Sequence, residues 1–212
     1  MSGLDRAGAE LTIDLAAIRR NYWQLNARLD PDAELGAVVK ADAYGLGVSR
    51  IAPTLAQAGC KTYFVATLDE GIALRAAVED ATIYVLNGLV GKELEDFFIH
   101  RLRPVLNTMG QIERWYDKGQ VANKTSVSAA LHVDTGMNRL GISTQDVGVL
   151  ASGPYKYLSL SLLMSHLACA EEVPHPLNRI QLARFSNVLE VLRPNFRNGV
   201  AASLANSSGI FL

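Results

Sequence analysis

From residue 35 onward, short apolar runs alternate with longer amphipathic stretches, and this rhythm constrains the fold more than any other feature. The apolar runs are 35–41 (LGAVVKA), 63–67 (YFVAT), 82–88 (TIYVLNG), 103–107 (RPVLN), 127–135 (VSAALHVDT), 158–167 (LSLSLLMSHL) and 200–206 (VAASLAN). Each run but the last is followed by a helical pattern. Strands joined through helices must run parallel, and a parallel sheet needs both faces covered. Helix starts are marked as well. Thr67-Leu68-Asp69-Glu70 is a capping box, Thr108 to Gln111 repeats its form, and Ser143 to Asp146 opens a further helix. Asp14 is an N-cap for a helix marked by Leu15, Ile18, Tyr22, Leu25 and Leu29, which ends before Pro31. A short strand is expected just ahead of it at 12–15. The longest helix is expected to turn one side, carrying Leu177, Ile180, Arg184, Val188 and Leu192, along its length.

Two architectures satisfy seven β/α units: an open doubly wound sheet and a TIM-type (β/α)8 barrel. A full barrel takes about 250 residues, and this chain has 212. The fold expected is therefore a β/α barrel missing its last unit. Residues 1–34 form an N-terminal strand and helix leading into it, and residues 35–212 form the incomplete barrel. No linker divides them.

Composition excludes several classes of function. Twenty Lys and Arg face 21 Asp and Glu, a net charge of −1, so there is no basic excess to grip nucleic acid. No apolar run approaches the roughly 18 residues of a membrane span. The start, MSGLDRAGAELTIDL, lacks the basic-then-apolar order of a secretory signal. Two cysteines, Cys60 and Cys169, make neither a disulfide framework nor a zinc site, and no metal site is expected. A reducing, cytoplasmic setting is the default.

Chemistry in parallel β/α proteins sits where strands end. Lys40 closes the first run. Desolvation there would depress its pKa and make the amine a nucleophile, although a lysine snorkelling from a strand end gives the same pattern. Tyr44 lies in a glycine-flanked turn, within reach of a ligand held by Lys40 or as an ordinary turn tyrosine. Arg139, after the fifth strand, offers a planar donor fork for an oxygen anion, or a partner for Asp134. His166 ends the sixth strand, as a structural histidine or a flat ring to stack on a flat cofactor. Asn206, Ser207, Ser208 and Gly209 follow the seventh, where backbone N–H groups and hydroxyls suit a phosphate or simply make a polar turn. No phosphate-binding P-loop or dinucleotide fingerprint is present.

Taken together and in order, VVKADAYGLG (38–47), HVDTGMNRLG (132–141), SHLACAE (165–171) and ANSSG (205–209) resemble the alanine racemase family. The resemblance runs from about residue 10 to the end. It implies a pyridoxal 5'-phosphate barrel in which Lys40 holds the cofactor as a Schiff base and takes the α-proton. Tyr44 and Ser207 would contact the phosphate, with Asn206 beside them. His166 would pack on the pyridine ring, and Arg139 would face the phenolic oxygen and the substrate carboxylate. The implied substrate is alanine, and the implied setting is a cytoplasmic homodimeric isomerase making D-alanine for peptidoglycan. Two departures stand out. His132 occupies a place where several relatives carry a lysine that becomes carbamylated. The eighth strand with its arginine, and the C-terminal β domain with the second acid/base tyrosine, are also missing. The resemblance thus implies an N-terminal fragment of little or no activity alone. A non-enzymatic pyridoxal phosphate carrier is the second reading. A β/α protein binding a small phosphorylated metabolite is the third.

Overall fold

The structure, a computed structural model, describes residues 8–92, 94–122, 128–195 and 199–212. Residues 1–7, at the start searched for a leader, and Val127, expected in the fifth strand, lie outside them. Seven strands form one sheet in sequential order: β1 (Ala37–Val38), β2 (Thr62–Val65), β3 (Thr82–Val85), β4 (Arg103–Leu106), β5 (Ala129–His132), β6 (Leu160–Met164) and β7 (Ala201–Ser203). Every neighbouring pair is parallel. The sheet curls as a TIM-type barrel does, with β1 and β7 as its two edges. One cavity is bordered by both edges, through Val38 and Ala202.

The helices are α1 (Leu15–Asn26), the single turn α2 (Lys40–Tyr44), α3 (Val48–Gln57), α4 (Leu68–Ala77), α5 (Leu94–Ile99), α6 (Met109–Ala122), α7 (Thr144–Ser152) and α8 (Pro176–Leu192). Their starts follow the capping chemistry written in the sequence. Asp14 accepts from the Ala17 N–H at 3.0 Å, and Thr67/Glu70 and Ser143/Asp146 close complete capping boxes. The core lies between sheet and helices, where Leu74, Phe97, Leu102 and Ile112 are fully enclosed. β5 is buried at all four positions, as expected of a strand covered on both faces.

Three expectations fail, each for a tertiary reason. No strand forms at 12–15: Leu15 already begins α1, and the extended residues before it have no described strand beside them to pair with. Ile13 packs against the core instead. The first apolar run pairs only over Ala37–Val38, because the chain turns at Lys40. The buried side of α8 keeps Val188 and Leu192 as expected but is shifted by one residue over its first part. It carries Asn178, Gln181, Phe185, Val188 and Leu192, while Ile180 is 44% exposed. Hydrophobic periodicity passes over this face because two of its five members are polar.

Among the described residues no helix is long and apolar enough to cross a membrane, and no group of three His, Cys, Asp or Glu is placed to hold a metal ion.

Candidate functional site

The carboxyl ends of the strands open into a cavity of about 930 Å³. Lys40 and Tyr44 reach it from beyond β1, Arg139 from the loop after β5, His166 from beyond β6, and Asn206 and Ser207 from beyond β7. All six residues singled out from the sequence line this one cavity, together with His132 at the end of β5.

Lys40 is half-buried and begins an unusual turn. Ala41, Asp42, Ala43 and Tyr44 have φ of 52°, 52°, 54° and 57°. Left-handed helical backbone costs a non-glycine residue roughly 1–2 kcal/mol, so four in succession must be held by their surroundings. The Gly45 N–H donates to Ala41 O at 2.9 Å and the Gly47 N–H to Asp42 O at 2.9 Å. The Asp42 carboxylate accepts from the Val48 N–H at 2.7 Å, and Glu70 accepts from the Ala41 N–H at 2.9 Å. Ala43 is buried. The turn carries Tyr44 to the mouth of the cavity, 63% exposed.

His132 has a defined tautomer. Asn107 donates its amide N–H groups to Leu86 O at 2.8 Å and Val105 O at 2.9 Å, which leaves its Oδ1 as an acceptor. His132 Nδ1 lies 2.9 Å from that oxygen and must therefore carry the proton. Burial, and after it His166, pushes the His132 pKa down to about 4; Asp134 pulls the other way, and Arg139 adds a lesser push down. His166 is pushed down too, first by burial and then by Arg139 and Lys40. Two neutral imidazoles thus share the cavity with Lys40 and Arg139 beyond the strand ends and with Glu34 ahead of β1, so the basic side chains favour an anion at the strand ends.

Arg139 is not bound to Asp134 as the simplest sequence reading allowed. The Asp134 carboxylate accepts instead from the backbone N–H groups of Gly136, Met137 and Asn138 at 2.8–3.1 Å. The turn after β7 is similarly self-organised. Asn206 Oδ1 accepts from the Gly209 N–H at 2.8 Å, and its Nδ2 donates to Leu167 O at 3.4 Å. Asn206 lines the cavity, but its amide is used to shape the turn. Among the described residues the N–H groups of Ser207 and Ser208 have no acceptor, so they remain available to an anion.

Three residues at this end of the barrel were not found from sequence. Asn107 was read only as the last residue of the run 103–107. Gln181, fully buried, donates to Thr135 Oγ1 at 3.2 Å and His166 O at 2.8 Å and accepts from the Ala168 N–H at 2.9 Å, tying the ends of β5 and β6 together. Glu70 was legible only as a helix cap. An Asn closing an apolar run was the signal available for Asn107; Gln181 had none.

Comparison with known proteins agrees with this geometry. Residues 13–212 match the family model described as alanine racemase, N-terminal domain. The alanine racemases of Rhizobium meliloti and Rhodospirillum rubrum are 44% and 43% identical over 97% and 98% of this chain. The chain spans about half the length of these relatives, 53% and 55%. The crystal structure of alanine racemase from Bartonella henselae, with covalently bound pyridoxal phosphate, superposes with a TM-score of 0.87 at 40% identity. It covers 94% of this chain and 57% of that one. A sequential parallel sheet gathering its polar side chains at the strand ends, matched from residue 13 to residue 212 by one family's model, leads to a single assignment: this chain belongs to the alanine racemase N-terminal domain family.

Proposed function

We propose that this chain forms the pyridoxal-phosphate-binding barrel of an alanine racemase. The observation that carries the reading is the meeting of Lys40, beyond β1, and the 206–209 turn, beyond β7, in one cavity. The donor set suits the cofactor. Lys40 is an amine for its aldehyde. The Ser207 and Tyr44 hydroxyls, with the Ser207 N–H and the adjacent Ser208 N–H, would hold its phosphate. His166 offers a flat neutral ring, and Arg139 a cation for its phenolic oxygen and for a substrate carboxylate. About 930 Å³ is ample for a cofactor with a small amino acid.

When bound, pyridoxal phosphate supplies the electron-withdrawing ring that acidifies the α-hydrogen of an amino acid. The protein supplies position and charge. Lys40 would hold the cofactor through its aldehyde, and its Nζ, when free, would accept the α-proton from one face. Arg139 orients the carboxylate. His132, neutral and proton-bearing only at Nδ1, leaves the Arg139 charge uncancelled for that carboxylate. The resemblance assigns the opposite face to a tyrosine from a C-terminal β domain across a homodimer. It also assigns the product, D-alanine, to peptidoglycan synthesis in the cytoplasm. Tested apart from such a domain, residues 1–212 are expected to show little or no alanine racemisation: the absent base alone costs about 10²–10⁴-fold, and the orientation lost with the domain costs more. A polarimetric or coupled D-alanine assay reads this directly.

The cofactor reading is tested by incubation with pyridoxal phosphate, reduction with borohydride and peptide mass spectrometry. One reduced label on Lys40, lost in Lys40→Ala, is the expected result. A label spread over surface lysines, or one that survives Lys40→Ala, refutes it.

A further inference from the structure

Glu70 does more than its capping box requires. Its Oε2 accepts from the Ala66 N–H at 2.7 Å and the Thr67 N–H at 3.4 Å, and the Thr67 hydroxyl accepts the Glu70 N–H at 3.3 Å. That completes the cap of α4. Its other oxygen, Oε1, crosses to the neighbouring strand end and accepts from the Ala41 N–H at 2.9 Å. Ala41 directly follows Lys40, so this bond holds the peptide that joins the lysine to the left-handed turn. Ala66, on the other oxygen, itself lines the cavity. One carboxylate thus binds the end of β1 to the end of β2 at the place where the lysine leaves the sheet. The far end of the turn has its own restraint in Asp42, whose Oδ1 accepts from the Val48 N–H at 2.7 Å. The near end has Glu70.

We propose that Glu70 is a positioning residue for Lys40: its carboxylate, shared between the α4 cap and the Ala41 amide, holds the left-handed turn in the register that places the lysine amine in the cavity. The proposal rests on the cofactor reading for its purpose but not for its geometry. Only a carboxylate serves both oxygens as acceptors. A glutamine in its place presents one carbonyl oxygen and one NH₂, and the NH₂ would confront an N–H on one side or the other.

The test compares Glu70→Gln with Thr67→Val, which weakens the same helix cap but leaves the Ala41 bond in place. Three readouts are taken on the 212-residue chain, with the melting temperature as control. In Glu70→Gln, hydrogen exchange at the Ala41 amide is expected to quicken about tenfold, the worth of one charge-assisted hydrogen bond. Acetylation of Lys40 by trace acetic anhydride, which needs no cofactor, should rise as the amine swings toward solvent. Labelling of Lys40 by pyridoxal phosphate and borohydride should fall about tenfold for the same reason. Thr67→Val is expected to lower the melting temperature and leave all three readouts unchanged. The proposal is overturned if Glu70→Gln matches the parent chain in Ala41 exchange and Lys40 acetylation, or if Thr67→Val changes them equally. If the parent chain takes no label from pyridoxal phosphate at Lys40, the cofactor reading fails, while exchange and acetylation still decide the role of Glu70.

Discussion

Replacing Arg75 by methionine is expected to destabilise the fold by about 3–5 kcal/mol while leaving the cavity chemistry intact. Arg75 stands in the last turn of α4, where its guanidinium donates to five main-chain carbonyls. Nε reaches His100 O at 3.1 Å. Nη1 reaches Val78 O, Glu79 O and Ala81 O at 3.3, 2.8 and 2.7 Å, and Nη2 reaches Arg101 O at 2.8 Å. These carbonyls belong to the two loops that feed β3 and β4, at the end of the barrel opposite the cavity. They lie at or just past the carboxyl ends of α4 and α5, where a cation also meets the negative pole of each helix. Methionine fills a similar volume but removes the guanidinium from all five carbonyls; Val78 O keeps the Ala81 N–H at 3.5 Å and Glu79 O keeps Arg101 Nη2 at 3.1 Å, so the loss falls chiefly on His100 O, Ala81 O and Arg101 O. Lysine restores the charge but not the planar fork, so Arg75→Lys should recover less than half of the loss. In a domain of this size the methionine variant should melt roughly 6–20 °C lower. Chemical denaturation of the two variants checks this, and a loss below about 1 kcal/mol would show that water replaces the guanidinium without cost. Below the melting range, borohydride labelling of Lys40 should match the parent chain.

The second large effect is with acid. His132 has a pKa of about 4 in the folded chain, against an ordinary 6.5. The unfolded chain therefore binds the proton more tightly, and stability rises with pH between those two values. Full stability is present above about pH 6.5 and is lost at about 1.4 kcal/mol per pH unit as the pH falls toward 4. The total for His132 is roughly 3 kcal/mol. His166, shifted in the same direction by burial and by Arg139 and Lys40, adds to the loss. His132→Gln should flatten the stability profile across this window, and nitrogen NMR of the parent chain at pH 7 should show a neutral ring protonated at Nδ1. A His132 resonance that titrates near pH 6 would contradict the burial behind this prediction, while the Asn107 bond, which uses the Nδ1–H in either charge state, would be unaffected.

The two predictions fall at opposite ends of the strands and so separate stability from function. Arg75 secures loops that carry no chemistry. His132 lies within the cavity, where low pH would turn a neutral acceptor into a third cation beside Lys40 and Arg139. Loss of cofactor labelling in acid should therefore precede or accompany unfolding, whereas in Arg75→Met it should only follow it.

Much of this was legible in the linear order of residues. Seven apolar runs separated by helical patterns specify a parallel sheet, because each crossover returns the chain in the same direction, and the barrel reading adds the sequential order. The capping boxes at Thr67/Glu70 and Ser143/Asp146 marked helix starts to the residue, since a cap is a contact between groups three positions apart. Lys40, Tyr44, Arg139, His166, Asn206 and Ser207 come to line one cavity because strand ends in such a sheet all point to one place.

What failed depended on partners distant in sequence. Residues 12–14 have strand-like composition, but an extended segment becomes a strand only beside another. The first part of the buried face of α8 was misplaced because Gln181 is held by Thr135, His166 and Ala168, and hydrophobicity does not register a buried amide. The left-handed run from Ala41 to Tyr44 has no glycine to announce it, and Glu70, Asp42 and the packing of Ala43 impose it. The sequence by itself determined the order of the elements, their direction and the end of the sheet where chemistry gathers, because these follow from local periodicity and the connectivity of the chain. Only the tertiary structure decided which nitrogen of His132 bears a proton, which oxygen of Glu70 reaches the lysine turn and which face of α8 is buried. Each of those is a hydrogen bond or packing contact between residues that the linear chain keeps apart.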